Sequence, residues 1–166
     1  MSAPREPIAL YVHWPWCLAK CPYCDFNSRA VNAEDVNQAA YRAAITAELN
    51  HYAGITNNGA LSSIFFGGGT PSLMSPDTVA HVIDTATTLW GVQDDCEITL
   101  AANPTSVEAA KFRGFKDAWV NRASVGVQAL TDDDLQALGR EHSAVAARRA
   151  LAIAAAVFDR FTVDLI

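Results

Sequence analysis

Tyr11-Val12-His13-Trp14-Pro15-Trp16-Cys17-Leu18-Ala19-Lys20-Cys21-Pro22-Tyr23-Cys24 places three cysteines in one short loop at a C-x3-C-x2-C spacing. The apolar run just before it, Ile8 to His13, reads as a buried strand, so the cysteines leave the end of that strand. Three thiolates on one loop can each take one iron of a cubane cluster. The fourth iron is then left for a small chelator that offers an amino and a carboxylate group. If that chelator is a sulfonium, an electron from the reduced cluster can break a carbon-sulfur bond and yield a 5'-deoxyadenosyl radical. A tetrahedral zinc site built from the same three cysteines and His13 is the competing reading. Zinc sites usually join two separate knuckles, whereas here every sulfur comes from one loop. Cys96 stands alone and reads as a small buried hydrophobe.

Outward from this loop, the pattern alternates between strands and helices. Leu61 to Phe66, Glu97 to Ala102, Val120 to Val127 and Arg160 to Ile166 are further short runs with the character of buried strands. Between them, Val36, Ala40, Tyr41, Ala44, Ile45, Leu49 and Tyr52 recur at helical spacing, as do Val79, Val82, Ile83, Ala86, Leu89 and Trp90. Ala150 to Phe158 reads as a buried helix. Ser75-Pro76 supplies a hydroxyl cap before a proline, Thr105 and Glu108 fit a capping box, Thr131 and Asp134 a weaker one, and Ser143 caps an Ala-rich run. Strand and helix in regular alternation predict an α/β fold with a parallel sheet and helices on one or both of its faces. Phe65-Phe66-Gly67-Gly68-Gly69-Thr70-Pro71-Ser72 closes the second strand. In a parallel sheet this segment lies at the same end as the cysteine loop, where its bare backbone can approach a ligand.

Composition narrows the partners. The 166 residues are 51% hydrophobic and 18% charged, with 12 basic against 18 acidic side chains and a net charge of -6. That balance gives no electrostatic reason to bind nucleic acid or anionic lipid. No apolar run approaches the roughly 20 residues of a membrane span, so no integral membrane segment is expected. Met1 to Pro7 lacks the apolar core of a secretory signal, and a cytoplasmic, reducing address is expected. The last residues, Phe161 to Ile166, stop within a strand-like run, from which residues 1-166 are expected to form a single domain that is incomplete at its C-terminus.

Several motifs in order now carry a resemblance: YVHWPWCLAKCPYCDFNS, IFFGGGTPSLMS, EITLAANP, NRASVGVQAL, LGREH and FTVDLI. Over roughly Ile8 to Ile166 the chain resembles the radical S-adenosylmethionine (SAM) proteins related to oxygen-independent coproporphyrinogen III oxidase, and among them the HemW-type haem chaperones. The resemblance implies the first five βα units of a six-stranded partial (β/α) barrel. It implies that Cys17, Cys21 and Cys24 ligate a 4Fe-4S cluster and that Tyr23 lies beside the adenine of SAM, with Tyr11 also in the cofactor pocket. Gly67, Gly68, Gly69 and Thr70 would contact the methionine end. Gln128 and Asp164 would bind the ribose hydroxyls, and Arg140 would pair with the SAM carboxylate.

The sequence departs from that pattern at Ala101, where the family usually carries a glutamate that faces SAM, and at Ala123 and Ala129-Leu130, which read as packing changes. Phe26 stands two residues after the third cysteine, where the oxidases tend to carry another cysteine, and this favours the chaperone branch. The function implied is haem transfer or insertion, with haem or a porphyrin(ogen) and a haem-accepting protein as partners. The alternatives are oxidative decarboxylation of coproporphyrinogen III and a zinc-stabilised binding module. His13, His51, His81 and His142 are available haem ligands, none singled out.

Overall fold

A computed structural model describes residues 6-56 and 59-166, so the reading of Met1 to Arg5 lies outside the described residues. In chain order the elements are β1 (Ile8–Trp14), β2 (Trp16–Cys17), β3 (Arg29–Ala30), α1 (Gln38–Ile55), β4 (Leu61–Gly68), α2 (Pro76–Trp90), β5 (Val92–Ala102), α3 (Ala109–Asp117), β6 (Arg122–Gln128), α4 (Asp132–Ala137), α5 (Ala144–Val157) and β7 (Arg160–Leu165). Short 3-10 turns lead into α1, α2 and α3. The main sheet runs β1-β4-β5-β6-β7, every neighbour parallel, and β2 pairs with β3 in a separate two-stranded ladder. This is the predicted α/β architecture.

Alternation along each strand divides the sheet into two unlike faces. Val12, Trp14, Ile64, Phe66, Ile98, Leu100, Ala123, Val125 and Val127 point to one side. There they form a single core with Leu49 of α1, Val79, Val82 and Ile83 of α2, Phe112 and Phe115 of α3, and Ala147, Ala150 and Ala154 of α5. The helices therefore serve one face only. On the other face the cross-strand rows are polar or small across β5, β6 and β7, with Thr99, Arg122 and Arg160 in one, Ala101, Ser124 and Thr162 in the next, then Gly126 and Asp164, while Phe65 and Tyr11 extend the first row into β4 and β1.

The cap readings at Ser75, Thr131 and Ser143 match observed bonds, since their side chains accept from Thr78, Asp134 and Ala146 amides. The Thr105 and Glu108 box does not form. Thr105 lies inside a 3-10 turn capped by Asn103, and Glu108 is an N-cap without a side-chain bond. Val36 falls outside α1 because the preceding 3-10 turn ends on it. Cys96 is buried within β5, which starts earlier than the apolar pattern suggests, at Val92. Ala150 to Phe158 is not buried all round: Ala150, Ala154, Val157 and Phe158 face the core while Ala152, Ala155 and Ala156 are exposed. Likewise β7 is mostly exposed, as it forms one edge of the sheet. Ala123 is buried, in keeping with a packing change, whereas Leu130 is exposed and packs no core.

Trp119 combines 72% exposure with a left-handed backbone at φ 72°. A large side chain in that region is strained, and nothing buried holds it there. Trp119→Gly is expected to raise stability by about 0.5 to 1 kcal/mol. Phe112→Ala, which empties a fully buried site, should lower it by about 3 to 5 kcal/mol. Paired denaturant titrations check both signs.

Candidate cluster and cofactor site

The cysteine loop is closed where β2 meets β3: the Arg29 amide donates to the Pro15 carbonyl at 2.8 Å and the Val31 amide to Cys17 at 2.9 Å. Inside, the Cys24 amide donates to Cys21 at 3.0 Å, and Lys20 Nζ reaches the Phe26 carbonyl at 3.1 Å. His13 Nε2 lies 2.9 Å from the Asn27 carbonyl, tying the loop's far end back to β1. None of the three cysteines is disulfide-bonded, and Cys17 is buried while Cys21 and Cys24 are partly exposed.

The glycine segment fixes this loop from the other side. The Gly69 amide donates to Trp14 at 2.6 Å and the Thr70 amide to Trp16 at 2.8 Å. A Cβ on Gly69 would lie 2.5 Å from the Trp16 oxygen and 2.9 Å from Cys17 Sγ, so only glycine permits the approach.

All twelve residues anticipated from the sequence line one cavity of about 270 Å³: Cys17, Cys21, Cys24, Tyr11, Tyr23, Gly67, Gly68, Gly69, Thr70, Gln128, Arg140 and Asp164. Ala101 lines it too, and Asp164 is the only carboxylate among its lining residues. Arg140 spans the cavity wall: Nη1 donates to Cys21 Sγ at 3.0 Å and to the Tyr23 hydroxyl at 3.4 Å, and Nη2 to the Gly126 carbonyl at 2.9 Å. Its Nε is buried without a partner. Both terminal nitrogens are thus already engaged through three of the five N–H groups, and the Nε N–H and the second Nη2 N–H are spare. Gln128 ends β6 in a left-handed conformation, φ 73°, a strained backbone at the cavity rim. Burial pushes the Tyr23 phenol above its usual range, against the opposing pull of Arg140, so it stays neutral.

Sequence reading passed over three contributors. Ser124 donates to both Asp164 oxygens, at 3.1 and 3.0 Å. Gly139, at φ 65°, lets the chain after α4 press against Pro22: a Cβ there would meet the proline ring at 2.7 Å. His142, 5% exposed, lies 3.0 Å from the Val127 carbonyl through Nε2 and holds the segment carrying Arg140 against β6, while its Nδ1 is buried without a partner. The inner-face alternation signals Ser124, but nothing short-range signals the other two.

The residues suit a cubane better than a single ion. Among the described residues no three His, Cys, Asp or Glu side chains are placed to hold one metal ion. His13, the fourth donor of the zinc reading, is turned to Asn27 and is not among the residues lining the cavity. A cubane takes one thiolate at each of three irons and so needs no convergence of sulfurs on one point. The bare glycine backbone and the unpartnered Arg140 N–H fit a small polar chelator beside it.

Two outcomes follow from this geometry. Gly69→Ala should lower stability by about 1 to 3 kcal/mol through overpacking and reduce iron uptake on anaerobic reconstitution, as iron-to-protein ratios would show. Burial, reinforced by the Arg140 charge and opposed by the Val127 carbonyl, pushes the His142 imidazole below its usual range. The unfolded chain then takes up the proton first, so stability is full above about pH 6.5 and declines as pH falls through that value toward the folded-state pKa. A His142→Gln variant should show a flatter stability profile between about pH 5 and 7.

The sequence pattern of the Radical SAM superfamily matches residues 11–166. Over 152 residues the chain is 42% identical to "Heme chaperone HemW" of Haemophilus influenzae, covering 89% of this chain and 39% of that protein. It is 44% identical over 158 residues to the mitochondrial "Radical S-adenosyl methionine domain-containing protein 1" of Bos taurus, covering 95% and 35%. Thus the chain spans about two-fifths of the length of these curated relatives. The solved Escherichia coli coproporphyrinogen III oxidase (HemN) superposes with a TM-score of 0.86 at 24% identity over 98% of this chain and 38% of that one, a likeness of fold. A family match across nearly the whole chain, on a parallel sheet whose rim gathers three cysteines, means that the chain belongs to the radical SAM superfamily, whose members hold a 4Fe-4S cluster and SAM.

Proposed function

We propose that this chain is the SAM- and cluster-binding core of a HemW-like haem chaperone, acting in haem transfer to an acceptor protein, with Cys17, Cys21 and Cys24 as the cluster ligands. The observation that carries this reading is the convergence of the three free thiols with Gly67 to Thr70, Gln128, Arg140 and Asp164 on one cavity. The 40% range of identity to HemW proteins supports the branch, as does Phe26 in place of a further cysteine.

Each part of the chain has a task in this reading. When bound, the cluster supplies an electron to the sulfonium of SAM. The Cys21 thiolate stays within reach of the Arg140 guanidinium, whose N–H bond draws electron density from the sulfur. Gly67 to Gly69 present backbone without side chains to the methionine moiety, and the unpartnered Arg140 Nε N–H is a donor for its carboxylate. Tyr11 and Tyr23 offer ring faces to the adenine end, Asp164 accepts from the ribose hydroxyls, and Gln128 accepts from or donates to them. Ala101 lines the cavity where the resemblance leads to an acidic group facing SAM, which weakens SAM without abolishing the pocket.

No helix among the described residues is long and apolar enough to cross a membrane. The proposed setting is a reducing compartment such as cytoplasm, and the proposed haem-binding groups are left unassigned among this chain's four histidines.

After anaerobic reconstitution the protein should contain iron and sulfide, and the electron paramagnetic resonance signal of the reduced cluster should change on adding SAM. Replacing any of the three cysteines by alanine should abolish that signal. Unchanged iron content in those variants overturns the site. Incubation of the whole, reconstituted protein with coproporphyrinogen III, SAM and a reductant should yield no protoporphyrinogen IX, and its formation would replace the chaperone reading with the oxidase.

A further inference from the structure

On the helix-free face of the sheet, a file of polar side chains runs from the far side of the strands up to the cavity. Arg160 Nη1 lies 3.3 Å from Glu97 Oε2. Arg122 donates through Nη1 to Glu97 Oε1 at 2.9 Å and through Nη2 to Thr162 Oγ1 at 3.2 Å. Thr162 donates to Ser124 Oγ at 3.2 Å, and Ser124 donates to Asp164. Strand register makes this continuous: Arg122 pairs with Arg160, Ser124 with Thr162 and Gly126 with Asp164 across β6 and β7.

The direction of every bond is set at one end. A guanidinium has donors and no lone pair, so Thr162 must accept from it and pass its own proton to Ser124, which in turn has only one proton to give Asp164. The hydroxyl dipoles all point at the carboxylate, and aligned hydrogen bonds polarise one another. Asp164 is the only carboxylate lining the cavity, and Ala101 offers no second acid across from it. Its orientation therefore rests on a single hydroxyl that touches both of its oxygens.

We infer that Ser124 is a positioning residue for cofactor binding, oriented by Thr162 and Arg122, which holds the Asp164 carboxylate fixed to accept from a vicinal diol. This rests on the reading of Asp164 as the partner of the ribose hydroxyls.

The test measures SAM affinity in the whole, anaerobically reconstituted protein by titrating the change in the reduced-cluster signal. Ser124→Ala should weaken SAM by about tenfold, Thr162→Val by a smaller factor, and Ser124→Thr, which restores the hydroxyl, should recover most of the loss. Asp164→Asn should weaken SAM as well, and adding Ser124→Ala to it should cost little more, because Ser124 acts through Asp164. Iron content and circular dichroism show that each variant is folded and loaded, and Ser124→Thr carries the test if Ser124→Ala is not. Unchanged affinity in Asp164→Asn overturns the assignment of Asp164 itself. Weakening in Asp164→Asn with none in Ser124→Ala, failure of Ser124→Thr to retain wild-type-like affinity, or full additivity of the two losses overturns the positioning role.

Discussion

The close passage of the Gly69 backbone beneath Trp16 and Cys17 is the constraint on which the site depends. Parallel pairing of β1 with β4 brings His13 opposite Gly67 and Trp14 opposite Gly68, so the two chains leave the sheet side by side. Their next residues must separate unless both can be tied by backbone bonds. The bonds from Gly69 to Trp14 and from Thr70 to Trp16 provide that tie, and the space they need is smaller than a methyl group. Cys17 is thereby buried at the root of the loop, while Cys21 and Cys24 project from its outer part. A loop of this length would otherwise carry the entropy of many conformations. Here β2 and β3 close its base, His13 and Lys20 hold its carbonyls, and Arg140 reaches across from beyond β6 to its second sulfur.

The unlike faces of the sheet assign stability and chemistry to separate sides. Apolar side chains of the strands are spent on packing the helices, and the rings of Phe112, Phe115 and Phe158 gather between α3 and α5. Across β5, β6 and β7 the other face keeps hydroxyls, guanidinia and carboxylates. Those groups would be costly to bury without partners, yet here they satisfy one another along Glu97, Arg122, Thr162, Ser124 and Asp164. Strain is placed on the same side: Gln128 keeps a left-handed backbone where the ladder between β6 and β7 shifts register, and its carbonyl accepts from the Ile166 amide at 3.0 Å.

Much of this was legible because it is local. The β-branched runs marked all five strands of the main sheet, and Ser75, Thr131 and Ser143 announced their helices within three residues of the bonds they make. The cysteine spacing and glycine run pointed to one sheet end through parallel topology alone. What escaped was set by partners distant in sequence. Cys96 belongs to β5 although acidic residues precede it, because Asn121, 25 residues later, donates to its carbonyl. The short strands β2 and β3 have no pattern of their own and exist because the loop must close. Thr105 and Glu108 satisfied a capping rule, but Asn103 already held the Thr105 amide and the chain turned once before α3 began. Gly139 and His142 serve contacts with Pro22 and Val127 that no periodicity encodes.

Arg140 shows most plainly how geometry alters a role inferred from residue type. A free guanidinium grips a carboxylate with two parallel N–H bonds. In this fold one terminal nitrogen is committed to Cys21 and the Tyr23 hydroxyl and the other spends one N–H on the Gly126 carbonyl, leaving the Nε N–H and one Nη2 N–H. A carboxylate arriving in the cavity therefore has the Nε N–H and one Nη2 N–H to meet, unless Cys21 or Gly126 is released. The bond to Cys21 also couples the two halves of the site, since any ligand that pulls the guanidinium away removes a contact from the Cys21 sulfur.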